Sequence, residues 1–105
     1  FTIMKEEPFG PLVPLLTFKD FDEVIERANN NDLGLCSYIY TNNLERANRA
    51  SELMETGCVA VNTATVAVAE APFGGIKQTG YGREGGSMAI KDYLNIKYTH
   101  FGISY

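Results

Sequence analysis

Residues 35–61 read LCSYIYTNNLERANRASELMETGCVAV, and this stretch decides the fold. Two short apolar runs, 35–40 and 58–61, flank a segment of helical spacing. Short runs of this kind, bounded by polar turn residues, suit buried strands. Between them, Asn42 with Glu45 three residues on makes a capping box. Leu44, Ala47, Ser51 and Met54 then mark the buried stripe of a helix. Gly57 stands where a glycine commonly ends a helix. A helix between two strands leaves room for a crossover, so the strands are expected to run parallel with a right-handed connection.

The same pattern extends upstream. Residues 12–17, Leu-Val-Pro-Leu-Leu-Thr, read as another buried strand, although Pro14 counts against a central position. Asp20 and Glu23 form a second capping box, and Phe21, Val24, Ile25 and Ala28 follow at helical spacing. Asn29-Asn30-Asn31-Asp32, then Gly34, end that helix. The expected fold is α/β, with a parallel βαβαβ core. After Val61 the character changes: six of the ten glycines lie from Gly74 to Gly86, and no strand is evident there. A short helix is expected over 86–93. The tail 94–98 alternates like a last strand, with no obvious partner. Ligands of open parallel sheets sit outside the carboxyl ends of the strands. The long loop at that end starts at Asn62 and runs through Phe73 to Gly82, and long loops in compact domains are usually functional.

The chain has 105 residues, enough for one small domain or part of one. Its apolar share of 45% permits a core. Nine Lys and Arg among 13 Asp and Glu give a net charge of −4, which argues against a nucleic-acid partner. No apolar run approaches the roughly 18 residues of a membrane helix, and no secretory leader is evident. Phe1 in first place suggests that further sequence precedes it. Cys36 and Cys58 lie in apolar runs and read as buried free thiols, which suits a reducing, cytoplasmic setting.

Other constellations are weaker. Gly80-Tyr81-Gly82-Arg83-Glu84-Gly85 fits GxGxxG, but no strand precedes it and His100 stands where an acidic residue is needed. A tight turn is the simpler reading. Glu6-Glu7 read as a solvated pair, because adjacent side chains diverge. Lys77 and Arg83 read as surface or packing residues. His100 is the sole histidine, so no Ser-His-Asp triad can be argued and no Cys/His cluster has metal-ligand spacing.

Three motifs in order carry a resemblance. Glu6-Glu7-Pro8-Phe9-Gly10-Pro11 is similar to the Glu-Glu-x-Phe-Gly-Pro signature of aldehyde dehydrogenases. Val61-Asn62, followed after a loop by Pro72-Phe73-Gly74-Gly75-Ile76-Lys77, resembles that family's Val-Asn…Pro-Phe-Gly-Gly-x-Lys. Gly80 to Glu84 resembles its Gly-x-Gly-Arg-Glu turn. The resemblance covers the whole chain. The tail Asp92-Tyr93-Leu94-Asn95-Ile96-Lys97-Tyr98 is most similar to the succinate-semialdehyde branch.

The resemblance implies oxidation of an aldehyde to a carboxylic acid with NAD or NADP. In that family a cysteine thiolate forms a hemithioacetal, hydride passes to the nicotinamide, and a glutamate-activated water hydrolyses the thioester. A covalent intermediate divides a hard step into easier ones. The chain matches the C-terminal part of such an enzyme, 1–93 from the catalytic domain and 94–105 an oligomerisation strand and tail. The nucleophile and general-base motifs are absent, so no catalytic residue is expected here and the segment alone should be inert. By position, Glu7 matches the glutamate that binds the nicotinamide ribose, and Phe9 an aromatic beside the nicotinamide. Asn62, Val66, Ala67 and Val68 fall in the substrate-entry loop, and Phe73 matches an aromatic lining the aldehyde pocket. Succinate-semialdehyde enzymes commonly carry a loop serine, whereas Val66-Ala67-Val68-Ala69 is small and apolar, with Thr63 and Thr65 the loop's only hydroxyls. Another short aliphatic aldehyde therefore stands beside succinate semialdehyde as substrate. Expected partners are the remaining catalytic and cofactor domains and further subunits, as homodimer or homotetramer, with no metal. The contrasting reading is a short non-catalytic relative that acts as an interaction module.

Overall fold

The computed structural model describes residues 2–103. Helix α1 is Phe21–Asn29 and helix α2 is Leu44–Leu53. Four strands follow in chain order: β1 Leu33–Gly34, β2 Cys36–Ile39, β3 Cys58–Val61 and β4 Ile76–Lys77. Strands β2 and β3 pair in parallel, from Cys36 opposite Cys58 to Ile39 opposite Val61. Helix α2 is their crossover. Strands β1 and β4 form a separate antiparallel pair, with Leu33 opposite Lys77 and Gly34 opposite Ile76. The chain is thus α/β, with one complete βαβ unit at its centre.

The caps explain where the helices start. Asp20 accepts a hydrogen bond from the Glu23 amide at 2.9 Å, as the capping box requires. Glu23 reaches back one residue further than expected, accepting from the Lys19 amide at 2.8 Å. Arg27 holds this turn, donating to Glu23 and to the Thr17 carbonyl. In α2 the cap is Asn43, not Asn42: its Oδ1 accepts from the Arg46 amide at 2.8 Å. That one-residue shift turns Leu44 out to solvent and buries Ala47 and Ala50. With Ala60 of β3 they form the buried apolar core of the described residues, where small side chains let helix and sheet approach closely.

Several expectations are corrected. Residues 12–17 form no strand. Pro14 lacks a donor, no described strand pairs with the segment, and Leu12, Val13, Leu15, Leu16 and Phe18 are all exposed. The βαβαβ core therefore reduces to β2-α2-β3. Leu35 is not the first residue of a strand but the bend between β1 and β2. Gly57 is not the helix cap, because α2 ends at Leu53 with Met54 as its cap. Its role is steric: a Cβ there would lie 1.8 Å from the Gly74 carbonyl oxygen.

Within the glycine-rich stretch, β4 and an antiparallel bridge between Phe73 and Glu84 supply order that periodicity did not show. The helix expected over 86–93 shrinks to a 3₁₀ turn, Ala89–Tyr93. Gly85 and Gly86 adopt positive φ (70° and 61°), which excludes them from a right-handed helix. Leu94 is extended, yet no strand forms over 94–98. Phe1, Ser104 and Tyr105, the ends of the two expected domain segments, lie outside the described residues. No helix among the described residues is long and apolar enough to cross a membrane.

Candidate functional site

Strands β2 and β3 end together, and their carboxyl ends open onto the loop that begins at Asn62. Asn62 takes a left-handed conformation, φ 54°, which asparagine tolerates better than most residues. Its amide clasps Thr41, accepting from the Thr41 N–H at 2.9 Å and donating to the Thr41 carbonyl at 3.0 Å. Both functional ends of the Asn62 side chain are thereby engaged at the mouth of the loop. Val66 is half-buried, while Ala67 and Val68 are exposed. The far end of the loop is tied down where the Gly86 amide donates to the Ala69 carbonyl at 2.9 Å. A side chain at Gly85 would strike the Ala71 carbonyl oxygen, at 2.7 Å, so the glycine pair lets the loop lie flat against this turn.

Phe73 is fixed by its own backbone. Its amide and carbonyl exchange hydrogen bonds with Glu84, both 2.7 Å. It faces an open cleft of about 570 Å³, shared with Tyr81, Arg83, Asp92 and Tyr93. Two of the charges there, Arg83 and Asp92, are already committed. Arg83 donates to the carbonyls of Gly75 and Gly82, and Asp92 accepts from the Arg83 amide at 2.8 Å. Lys77 is likewise engaged, donating to the Asn29 and Asn31 carbonyls and pairing with Glu55 at 2.6 Å. An ammonium at the end of α1 is favourable there, because the last carbonyls of a helix lack internal partners. The basic residues of the motif thus hold the fold together.

Asn62 and the 66–68 loop stand at the carboxyl end of the strand pair, whereas the turn carrying Phe73 packs at its amino end, with Gly74 against Gly57 and Cys58, and of these residues Phe73 alone lines the cleft. Glu7 and Phe9 stand apart. Both lie in the irregular segment before α1, Phe9 is 96% exposed, and Glu7 is exposed and free of ion pairs among the described residues. The two cysteines sit at the amino end of the strand pair, beside the Phe73 turn and away from Asn62, half-buried and unbridged. Burial, and then the neighbouring Cys58, pushes the Cys36 thiol above its ordinary range. His100 accompanies Tyr98 in the exposed tail. Among the described residues no three His, Cys, Asp or Glu gather as metal ligands.

The sequence reading missed two features here, the Asn62–Thr41 clasp and the Phe73–Glu84 bridge. Asn at a strand end followed by a polar residue was the available signal for the first. The second joins residues in a glycine-rich stretch, where periodicity is silent.

The model of the aldehyde dehydrogenase family matches residues 1–99. The chain belongs to that family. It is 52% identical over 100 residues to a 3-sulfolactaldehyde dehydrogenase of Pseudomonas putida, covering 95% of this chain and 21% of that protein. It is 48% identical over 101 residues to an NADP⁺ succinate-semialdehyde dehydrogenase of Escherichia coli strain K12, covering 96% and 21%. A solved aldehyde dehydrogenase from Bacillus cereus, in complex with NAD⁺, superposes with a TM-score of 0.87 at 45% identity, over 91% of this chain and 20% of that one. The chain therefore spans about a fifth of the length of these aldehyde dehydrogenases.

Proposed function

We propose that this chain serves an NAD(P)-dependent aldehyde dehydrogenase as its C-terminal segment, contributing cofactor contacts, a substrate-entry loop and subunit contacts. The observation that carries the reading is the way Phe73 is held. An aromatic residue whose main chain is fixed by two short hydrogen bonds, at the edge of an open cleft, suits the wall of a pocket for an apolar substrate portion. The apolar loop residues Val66, Ala67 and Val68, with Asn62 at the loop's mouth, suit the short chain of an aldehyde. Succinate semialdehyde, or another short aliphatic aldehyde, is the proposed substrate.

Glu7 and Phe9 fit the nicotinamide end of NAD or NADP in chemistry. An exposed carboxylate without an ion pair accepts two ribose hydroxyls at once, and an open aromatic face packs against a flat ring. The cofactor, when bound, supplies the hydride acceptor. Glu7 orients it, Phe9 limits its motion, and Phe73 excludes water from the aldehyde. The nucleophilic cysteine and general-base glutamate belong to the rest of the enzyme; neither Cys36 nor Cys58 takes that part. The tail beyond residue 94 is the proposed oligomerisation strand, since unpaired extended backbone is a ready template for a second subunit.

Steady-state kinetics on the native-length enzyme test this reading. Glu7→Gln should raise KM for the cofactor several-fold, and Phe73→Ala should raise KM for the aldehyde. Wild-type values in both variants would sink the assignment. A preference for uncharged aldehydes over succinate semialdehyde would remove the acid-aldehyde substrate while leaving the class intact.

A further inference from the structure

Cys36 and Cys58 are the first residues of β2 and β3 and stand in direct register. Side chains of register partners project from the same face of a sheet. Neighbouring strands lie about 4.8 Å apart, inside the roughly 4.4–6.8 Å Cα separation that a disulfide spans. Both cysteines are free and half-buried, so solvent reaches them. The Cys58 thiol also donates to the Gly74 carbonyl at 3.6 Å, in the turn next to Phe73. Each cysteine follows a residue whose carbonyl or amide is held by the ladder: the Cys58 amide donates to the Leu35 carbonyl and the Gly57 amide to the Gly34 carbonyl, both 3.0 Å. The two sulfurs are therefore presented on a rigid frame.

We propose that Cys36 and Cys58 form a dithiol redox site, closed to a cross-strand disulfide by a low-molecular-weight disulfide. One cysteine thiolate attacks the reagent, breaking its S–S bond, forming a mixed disulfide and releasing one thiolate. The second cysteine loses its proton and displaces the remaining half. The Cys36–Cys58 bond forms, two cysteine sulfurs are oxidised, and the reagent leaves as two thiols. Burial of Cys36, with Cys58 beside it, disfavours its thiolate, so attack by Cys36 is slow at neutral pH. Closure removes the S–H that Gly74 accepts from, and the turn carrying Phe73 loses an anchor. That last consequence rests on the Phe73 reading above; the disulfide itself does not.

The test treats the native-length protein with glutathione disulfide, caps free thiols with N-ethylmaleimide and digests without reduction. Arg46 and Arg49 lie between the cysteines, so cleavage after arginine separates them unless they are bridged. The expected product is one linked peptide, two hydrogens lighter than its parts, restored by dithiothreitol. In Cys36→Ser the link should vanish and Cys58 should keep a glutathione. Two separately capped peptides, or a link found only between two chains, would overturn the site. A raised KM for the aldehyde on closure, reversed by dithiothreitol, supports the coupling to Phe73. An unchanged KM, where Phe73→Ala still raises it, overturns the coupling alone. Silence of both would instead remove the substrate-wall reading.

Discussion

The segment 6–18 and the turn 72–86 both carry family motifs, yet they differ in what holds them. The turn closes on its own chain: Phe73 exchanges hydrogen bonds with Glu84, Arg83 caps two carbonyls, Lys77 ties α1 to Glu55, and Gly86 pins the loop. The upstream segment has local turns and one bond from α1, Arg27 to the Thr17 carbonyl, and its Leu12, Val13, Leu15 and Leu16 face solvent. Each such side chain contributes about 1.5–3 kcal/mol when fully buried. The difference teaches that a motif's residues can be architectural or recognitive, and that internal partners tell them apart. Lys77 and Arg83 are engaged at home, while Glu7 and Phe9 are left for something else to meet.

The sharpest break in this comparison is expected at Gly57. Gly57→Ala forces a methyl group into the Gly74 carbonyl and should destabilise the native-length protein by about 3 kcal/mol in thermal or denaturant unfolding. Lys77→Met comes next. Losing two charge-assisted bonds, to the last carbonyl of α1 and to the Asn31 carbonyl just beyond it, should cost about 2 kcal/mol, with little from the exposed Glu55 partner. Asn43→Ala should cost about 1 kcal/mol through the lost cap, whereas Asn42→Ala should fall within about 0.5 kcal/mol of wild type. The reverse order would restore the Asn42 cap. Glu7→Gln should leave the melting temperature unchanged even as cofactor KM rises; a large loss of stability would give Glu7 a structural partner and erase the contrast. The smallest effect concerns Cys36. Its raised thiol should be alkylated with a midpoint at higher pH than a free cysteine, because the reactive thiolate forms later. Hydrogen exchange sharpens the upstream case: protection of amides 12–17 in the native-length protein would show a strand that pairs outside this chain.

Local signals carried much of the fold. Helical spacing and capping residues located both helices, and the strand–helix–strand pattern gave the parallel pair of β2 and β3. The cap of α2 was misplaced because Asn42 and Asn43 offer the same chemistry, and only the burial of Ala47 and Ala50 distinguishes them. Residues 12–17 looked like a strand because apolar runs report a wish for burial, not the presence of a partner. The β1–β4 pair was invisible because it joins two-residue segments far apart in sequence. For the site, the topology placed a loop and the motifs named its residues. What no pattern revealed was which polar groups were already occupied, since that depends on distant carbonyls such as those of Asn29 and Gly75.

The glycine contacts bear on how this turn can change over generations. Gly57 meets the backbone of Gly74, and a side chain at Gly74 would in turn meet the Gly82 carbonyl at 2.6 Å. A bulky residue arising at one position of a core is usually accommodated by trimming its neighbour. Here the neighbour is already glycine and the obstacle is main chain, so no second substitution can make room. These three positions form a lineage trap: the Phe73 turn can drift at its exposed residues, but its seat on β3 can be abandoned only by remaking the loop as a whole.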